Sequence, residues 1–325
     1  MKFFWLAGFL LLVWVLPLPG GEVLHVREKL EEGVSHSHEV AVEKLFQEWE
    51  GFLGASVRPG SEGRVALKID TSSGPGLSTP RELTDAVVRA LEKRGYKRED
   101  IWIVDQFERS LREAGYLPSR TDPRQDYRGS PVFALETGVF YEPEWFYESP
   151  LPPGGRIRLG PSLGERSWGL DSSEAIGRDR YSFLPVPLFF DVDFWINLPV
   201  VSDHPYLGLR GGLVNATLFN ASNTFRFQRS RTNGPVAVAN MAAIPELRQR
   251  WAFTLVSLER LQFAGGPEFR SRYTMQRREI HLSNDPVLLD AYLITVLNEG
   301  RREAGFRPLN ETPDFLRFAR QLEGG

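Results

Sequence analysis

The residues able to do chemistry stand where short apolar runs give way to polar ones. Lys68 and Asp70 close RVALKID, Asp105 closes IWIVD, Asp203 and His204 follow DFWINLPVVS, and Asn284 and Asp285 follow REIHLS. An imidazole that titrates near neutrality, oriented by a carboxylate such as Asp203 or Asp285, can act as a general base or bind a metal. Lys68, His204 and Asp285 are therefore the expected catalytic centre, acting on a small anionic ligand. Asp70, Thr79, Asp105, Arg210, Asn215, Asn284 and Asp290 are the expected binding groups.

Each candidate also has a plainer reading. The loop Thr71 to Thr79, with Gly74 and Gly76 ahead of a helix start, can cradle an anion on backbone N–H groups or simply join a strand to a helix. Asp285 before Pro286 reads equally as a helix N-cap, and Thr79 before Pro80, with Glu82 three residues on, reads the same way. Asp285 and Asp290, one turn apart, could hold a hard cation with Asp70 or Asp105. Arg210 and Asn215 flank Gly211 and Gly212, either as an anion clamp or as a glycine turn with a capping asparagine. His204 is a base or a hydrogen-bonded loop histidine. His281, between Ile280 and Leu282 of an alternating strand, is expected to be structural, and His36 and His38 are expected to be solvated.

Composition removes several chemistries. The 325 residues include no cysteine, so disulfides, thiolate zinc, iron–sulfur clusters and a cysteine nucleophile are absent. A formal net charge of -3 from 39 basic and 42 acidic residues, spread along the chain, gives no nucleic-acid surface. There is no GxSxG elbow, HExxH pair, Walker loop or GxGxxG fingerprint, and no cofactor is specified.

The elements that must position these residues alternate. An amphipathic helix over 40–52 precedes the strand 64–70, a helix over 80–94 ended by Gly95, the strand 101–105 and a helix over 107–114. The stretch 118–192 is rich in Pro, Gly and aromatics, with strands expected at PVFAL, VFYEP, RIRLG and YSFLPV. A strand over 193–201, a short helix near 213–219, a long helix over 245–263, a strand over 278–282 and a helix over 286–304 follow. This order predicts one α/β domain over 39–325, a doubly wound, mainly parallel sheet with helices on both faces. Ligands then meet the polar groups beyond the carboxyl ends of the strands.

At the other end, Lys2, the apolar run 3–18 and Pro19-Gly20-Gly21 have the order of a secretory signal. About 20 apolar residues span a bilayer, and no A-x-A triplet marks a cleavage site, so removal and retention as a membrane anchor both stay open. Export is expected, with any membrane contact confined to that segment, and 22–38 reads as a polar spacer.

Three segments together resemble a known family, domain of unknown function 362. They are VALKID with its loop and STPRELTDAVVRALEKRGY, DFWINLPVVSDHPYLGLRGGLVN, and GGPEFRSRY followed by REIHLSNDPVLLDAYLITVLNEGRREAGF, spanning residues 64–306. The resemblance implies α/β halves joined through a histidine-bearing strand end, with no reaction assigned. Family members often carry lysines where this chain has Ser202 and Val214. If those lysines hold an anion or carry chemistry, this chain is a noncatalytic binding or scaffold protein that lost them.

Overall fold

The computed structural model describes residues 22–34, 36–149 and 180–323. The N-terminal apolar run and the RIRLG strand expected at 156–160 lie outside them. No helix among the described residues is long and apolar enough to cross a membrane.

Among the described residues, fourteen strands run β1 His25–Lys29, β2 Val65–Ile69, β3 Ile101–Asp105, β4 Asp126–Tyr127, β5 Ser130–Ala134, β6 Tyr141–Glu148, β7 Tyr181–Pro185, β8 Phe194–Leu198, β9 Ser202–His204, β10 Gly208–Arg210, β11 Trp251–Ser257, β12 Leu261–Gln262, β13 Thr274–Met275 and β14 Glu279–Ser283. The helices are α1 Ser37–Leu53, α2 Arg81–Lys93, α3 Glu108–Glu113, α4 Pro187–Phe190, α5 Gly212–Ala216, α6 Phe225–Gln228, α7 Asn233–Ala242, α8 Pro245–Arg250, α9 Pro286–Glu303 and α10 Asp314–Glu323.

Eight strands form the central sheet in the order β1-β14-β11-β8-β2-β3-β5-β4. The inner five, β11 to β5, are parallel, while β14, β1 and β4 join antiparallel at the flanks. Strands covered on both faces need apolar residues on both, and β2 and β8 are buried at every position. One face packs on α1 and α2 through Leu45, Phe46, Trp49, Val87 and Leu91; the other packs on α5, α7, α9 and α10 through Leu213, Val238, Leu293 and Phe315. The expected α/β architecture is the observed one. A four-stranded sheet, β10-β9-β12-β13, grows from the carboxyl ends of β8 and β11, and β6 pairs with β7 in the Pro- and aromatic-rich middle.

Three expectations change. The helix expected over 245–263 ends at Arg250, and Trp251–Ser257 becomes a strand between β8 and β14 with all seven residues buried. The aromatic and β-branched run WAFTLVS suits an inner strand, and helical periodicity across it came from joining two elements. The spacer expected at 22–38 carries β1, whose charged residues suit a sheet edge, and the start of α1. The helices α7 and α10 stand where no helix was expected.

Trp49 of α1 is fully buried, 5.3 Å from the ring of Phe253 on β11. Trp49→Ala is expected to cost about 3–5 kcal/mol in denaturant unfolding. A loss under about 1 kcal/mol would mean that α1 is not docked on the sheet as described.

Candidate functional site

The carboxyl ends of β2, β3 and β8 meet α5 around a lysine with no exposed surface. Lys68 Nζ donates to Asp105 Oδ1 at 2.9 Å, Asn215 Oδ1 at 2.9 Å and the Ile69 carbonyl at 2.6 Å. An ammonium has three N–H donors, and all three are used. The other Asp105 oxygen accepts from Thr71 N at 2.8 Å and Thr71 Oγ1 at 2.5 Å. Asn215 passes the network on, donating to Asn197 Oδ1 at 2.8 Å, while Asn197 donates to Gly212 O at 2.8 Å and Thr254 Oγ1 at 3.3 Å.

A second ion pair lies beside the first. Arg210, on β10, grips Asp70 through Nε at 2.9 Å and through Nη2, and also donates to Ser72 Oγ and Ser73 Oγ. Its guanidinium lies 4.7 Å from the Phe219 ring. Burial alone would raise the Asp70 carboxyl, but Arg210 and Lys68 outweigh it and hold it below the usual carboxylate range. Such a two-pronged pair is short and directional.

Asp290 reaches across from α9. Its Oδ1 accepts from Gly212 N at 2.7 Å and its Oδ2 from Leu213 N at 2.9 Å. A Cβ on Gly211 would lie 2.5 Å from Asp290 Oδ1, so the carboxylate requires glycine there. Burial pushes Asp290 up to about 7 against the pull of those two N–H groups.

The sequence-predicted residues therefore divide. Lys68, Asp70, Asp105, Arg210 and Asn215 come together. Thr79 does not cap α2, whose N-cap position is Pro80 with no side-chain cap. Instead its hydroxyl donates to Leu198 O at 2.6 Å and accepts from Asp70 N at 2.8 Å, tying β2 to β8. His204 is buried in the turn between β9 and β10, where Nδ1 accepts from Leu207 N at 3.1 Å and Tyr206 N at 3.3 Å. Burial, then Arg210, lowers it to about 4.

Asp285 does not join Lys68 and His204, because β14 runs against its neighbour and its carboxyl end points to the opposite side of the sheet. It caps α9, accepting from Leu288 N at 2.8 Å. Asn284 binds Leu24 N and the Glu22 carbonyl, holding down the start of β1. The cation cage of Asp285 and Asp290 with Asp70 or Asp105 does not form, and no group of three or more metal-ligating side chains occurs among the described residues.

In the loop Thr71 to Thr79, the N–H groups of Thr71, Ser72, Gly74, Leu77 and Thr79 all donate within the protein. Ser202 is buried with an unpartnered hydroxyl, and Val214 sits in the apolar core. Sequence reasoning missed Thr71, Ser72, Ser73, Asn197 and Thr254. A lone amide in the apolar run FWINL was the available signal for Asn197.

No family model matches the chain. No curated protein matches it. Among solved structures it is similar to the crystal structure of a Thermotoga maritima protein, a structural-genomics target, at 12% identity and a TM-score of 0.42. The match covers 86% of this chain and spans 60% of the length of the other.

Removing Lys68 strands a buried carboxylate, so Lys68→Met is expected to cost about 3–5 kcal/mol. Adding Asp105→Asn should recover part of that loss, and a double-mutant cycle in denaturant should show coupling above about 1 kcal/mol. Additive losses would contradict the pairing. Asp290 has a folded value of about 7 against an ordinary value of 3.8. Its stabilisation is therefore complete below pH 3.8 and lost as pH rises through 7, and between pH 4 and 8 Asp290→Asn should remove a fall of about 4 kcal/mol at most. An unchanged pH slope in the variant would contradict this.

Proposed function

We propose that this chain is an exported, noncatalytic binding or scaffold protein. Its α/β body is of the kind its resemblance to domain of unknown function 362 implies, with Ser202 and Val214 where family members often carry lysines. The observation that carries the reading is the closure of Lys68, which is buried with every ammonium proton committed to an internal acceptor. A lysine that binds or transforms an anion needs at least one donor free to meet it. Neither Ser202 nor Val214 supplies a replacement charge. His204 uses its acceptor nitrogen on the turn that carries it. Export is supported by the charged, apolar and small-residue order of the first 21 residues.

The competing reading is an enzyme acting on a small anionic ligand at the carboxyl ends of the strands. It is favoured by the Arg210 fork beside the Ser72 and Ser73 hydroxyls, a set that would suit an oxyanion if Asp70 withdrew.

Thermal unfolding of the full chain with phosphate, sulfate and small di- and tricarboxylates separates the two. A ligand that binds only the native state at 100 times its Kd stabilises by about 2.7 kcal/mol. The proposal expects no rise in Tm specific to an anion. A saturable rise of more than about 3 °C, abolished by Arg210→Met, would establish the competing reading instead. Cell fractionation tests export, and recovery of the chain entirely in the cytosol would reject it.

A further inference from the structure

On the far edge of the central sheet, remote in strand order from Lys68, two histidines face each other. His25 opens β1 and His281 lies within β14, with His25 Nε2 3.2 Å from His281 Nδ1. The other nitrogen of His281 lies 3.3 Å from Glu279 Oε2. Both rings pack on Tyr292 of α9, with centroids 5.5 and 4.9 Å away. His281 is buried and His25 partly exposed.

The tautomers follow from the partners. A carboxylate only accepts, so His281 Nε2–H donates to Glu279, and the lone pair of His281 is on Nδ1, directed at His25. We propose that the His25–His281 pair is a transition-metal site, in which His25 Nε2 and His281 Nδ1 chelate one ion of the Zn(II) or Cu(II) class.

The geometry fits. Two imidazole nitrogens bound to zinc at about 2.0–2.1 Å across a tetrahedral angle stand roughly 3.3 Å apart. The observed 3.2 Å matches that spacing, and each ring turns by roughly 35° for both lone pairs to meet at one ion. On binding, His25 Nε2 gives its proton to water while Nδ1 takes one up from water, so the ring stays neutral as the Nδ1–H tautomer and the ion takes the place of the shared hydrogen with no net change in protonation. Glu279, behind His281, is the outer carboxylate that orients a ligating imidazole and raises its basicity. Burial holds both rings in the neutral form that ligates. Asp285 adds negative charge near His25, while Arg27 opposes it from an exposed position on the strand.

Two protein ligands leave the remaining positions to water on the open side of His25. Imidazole selects Zn(II), Ni(II) and Cu(II) over Mg(II) and Ca(II). An ion held there would also clip β1 to the sheet.

The test is equilibrium dialysis of the full chain against Zn(II) and Cu(II), with electron paramagnetic resonance of the copper form. One ion per chain is expected, with coupling to two imidazole nitrogens and no response to Mg(II). His25→Gln, at the edge of the sheet, should fold as judged by circular dichroism and weaken binding at least tenfold. His281→Gln should do the same, and His36→Gln/His38→Gln should leave binding intact. Absence of binding by the wild type, affinity within twofold of wild type in folded His25→Gln, or loss of the site in His36→Gln/His38→Gln would each overturn the proposal. None of these outcomes depends on the anion response at Arg210.

Discussion

An ammonium buried away from water must find an acceptor for each of its protons, and Lys68 sets that requirement at the centre of the sheet. The cost of removing such a charge from solvent is several kcal/mol unless a counter-charge and hydrogen bonds replace the water. Asp105 on β3, Asn215 on α5 and the backbone of β2 meet it together, so three chain segments distant in sequence are held to one point. The consequence spreads along the strands. Lys68, Asn197, Thr254, Ser283 and His25 are direct cross-strand neighbours in turn, a polar row across five strands of an otherwise apolar sheet. From Lys68 to Thr254 the row is linked by side-chain hydrogen bonds through Asn215 and Asn197.

The same requirement shapes the loops above. Asp105 can face Lys68 only while Thr71 satisfies its second oxygen, which fixes the turn leaving β2. Arg210 brings a second positive charge to that turn and is answered by Asp70. The four-stranded sheet carrying Arg210 is thereby pinned to the central one. Ser73 completes the closure by donating to the Pro267 carbonyl at 2.7 Å, and the Phe269 ring lies against Gly76. Glycine at 76 is what lets that ring approach.

Local signals made much of this legible. β2, β3 and β8 read as apolar runs ending in polar residues, and Asp285-Pro286 marked the start of α9. That Lys68, Asp70 and Asp105 converge follows from β2 and β3 being parallel neighbours, which their alternation with helices implied, whereas Arg210 and Asn215 reach them from β10 and α5 beyond the end of β8. The direction of β14 was not legible, because pairing depends on residues far away in sequence. Its reversal removed Asp285 from the site and left the plainer reading as N-cap. β11 was hidden because a run buried on both faces has no strand alternation, and its neighbour α8 lent it a helical period. Thr79 had the right type and place for a cap, yet the carbonyl of Leu198 competed for its hydroxyl and won.

The closed state of Lys68 can be observed directly in solution. Proton–nitrogen correlation spectra of the full chain at neutral pH should show one lysine ammonium whose protons exchange slowly with water, lost in Lys68→Met and displaced in Asp105→Asn. Ammonium protons on Lys68 exchanging as fast as those of surface lysines would contradict the account, because water would then reach the point on which the sheet and its loops are held.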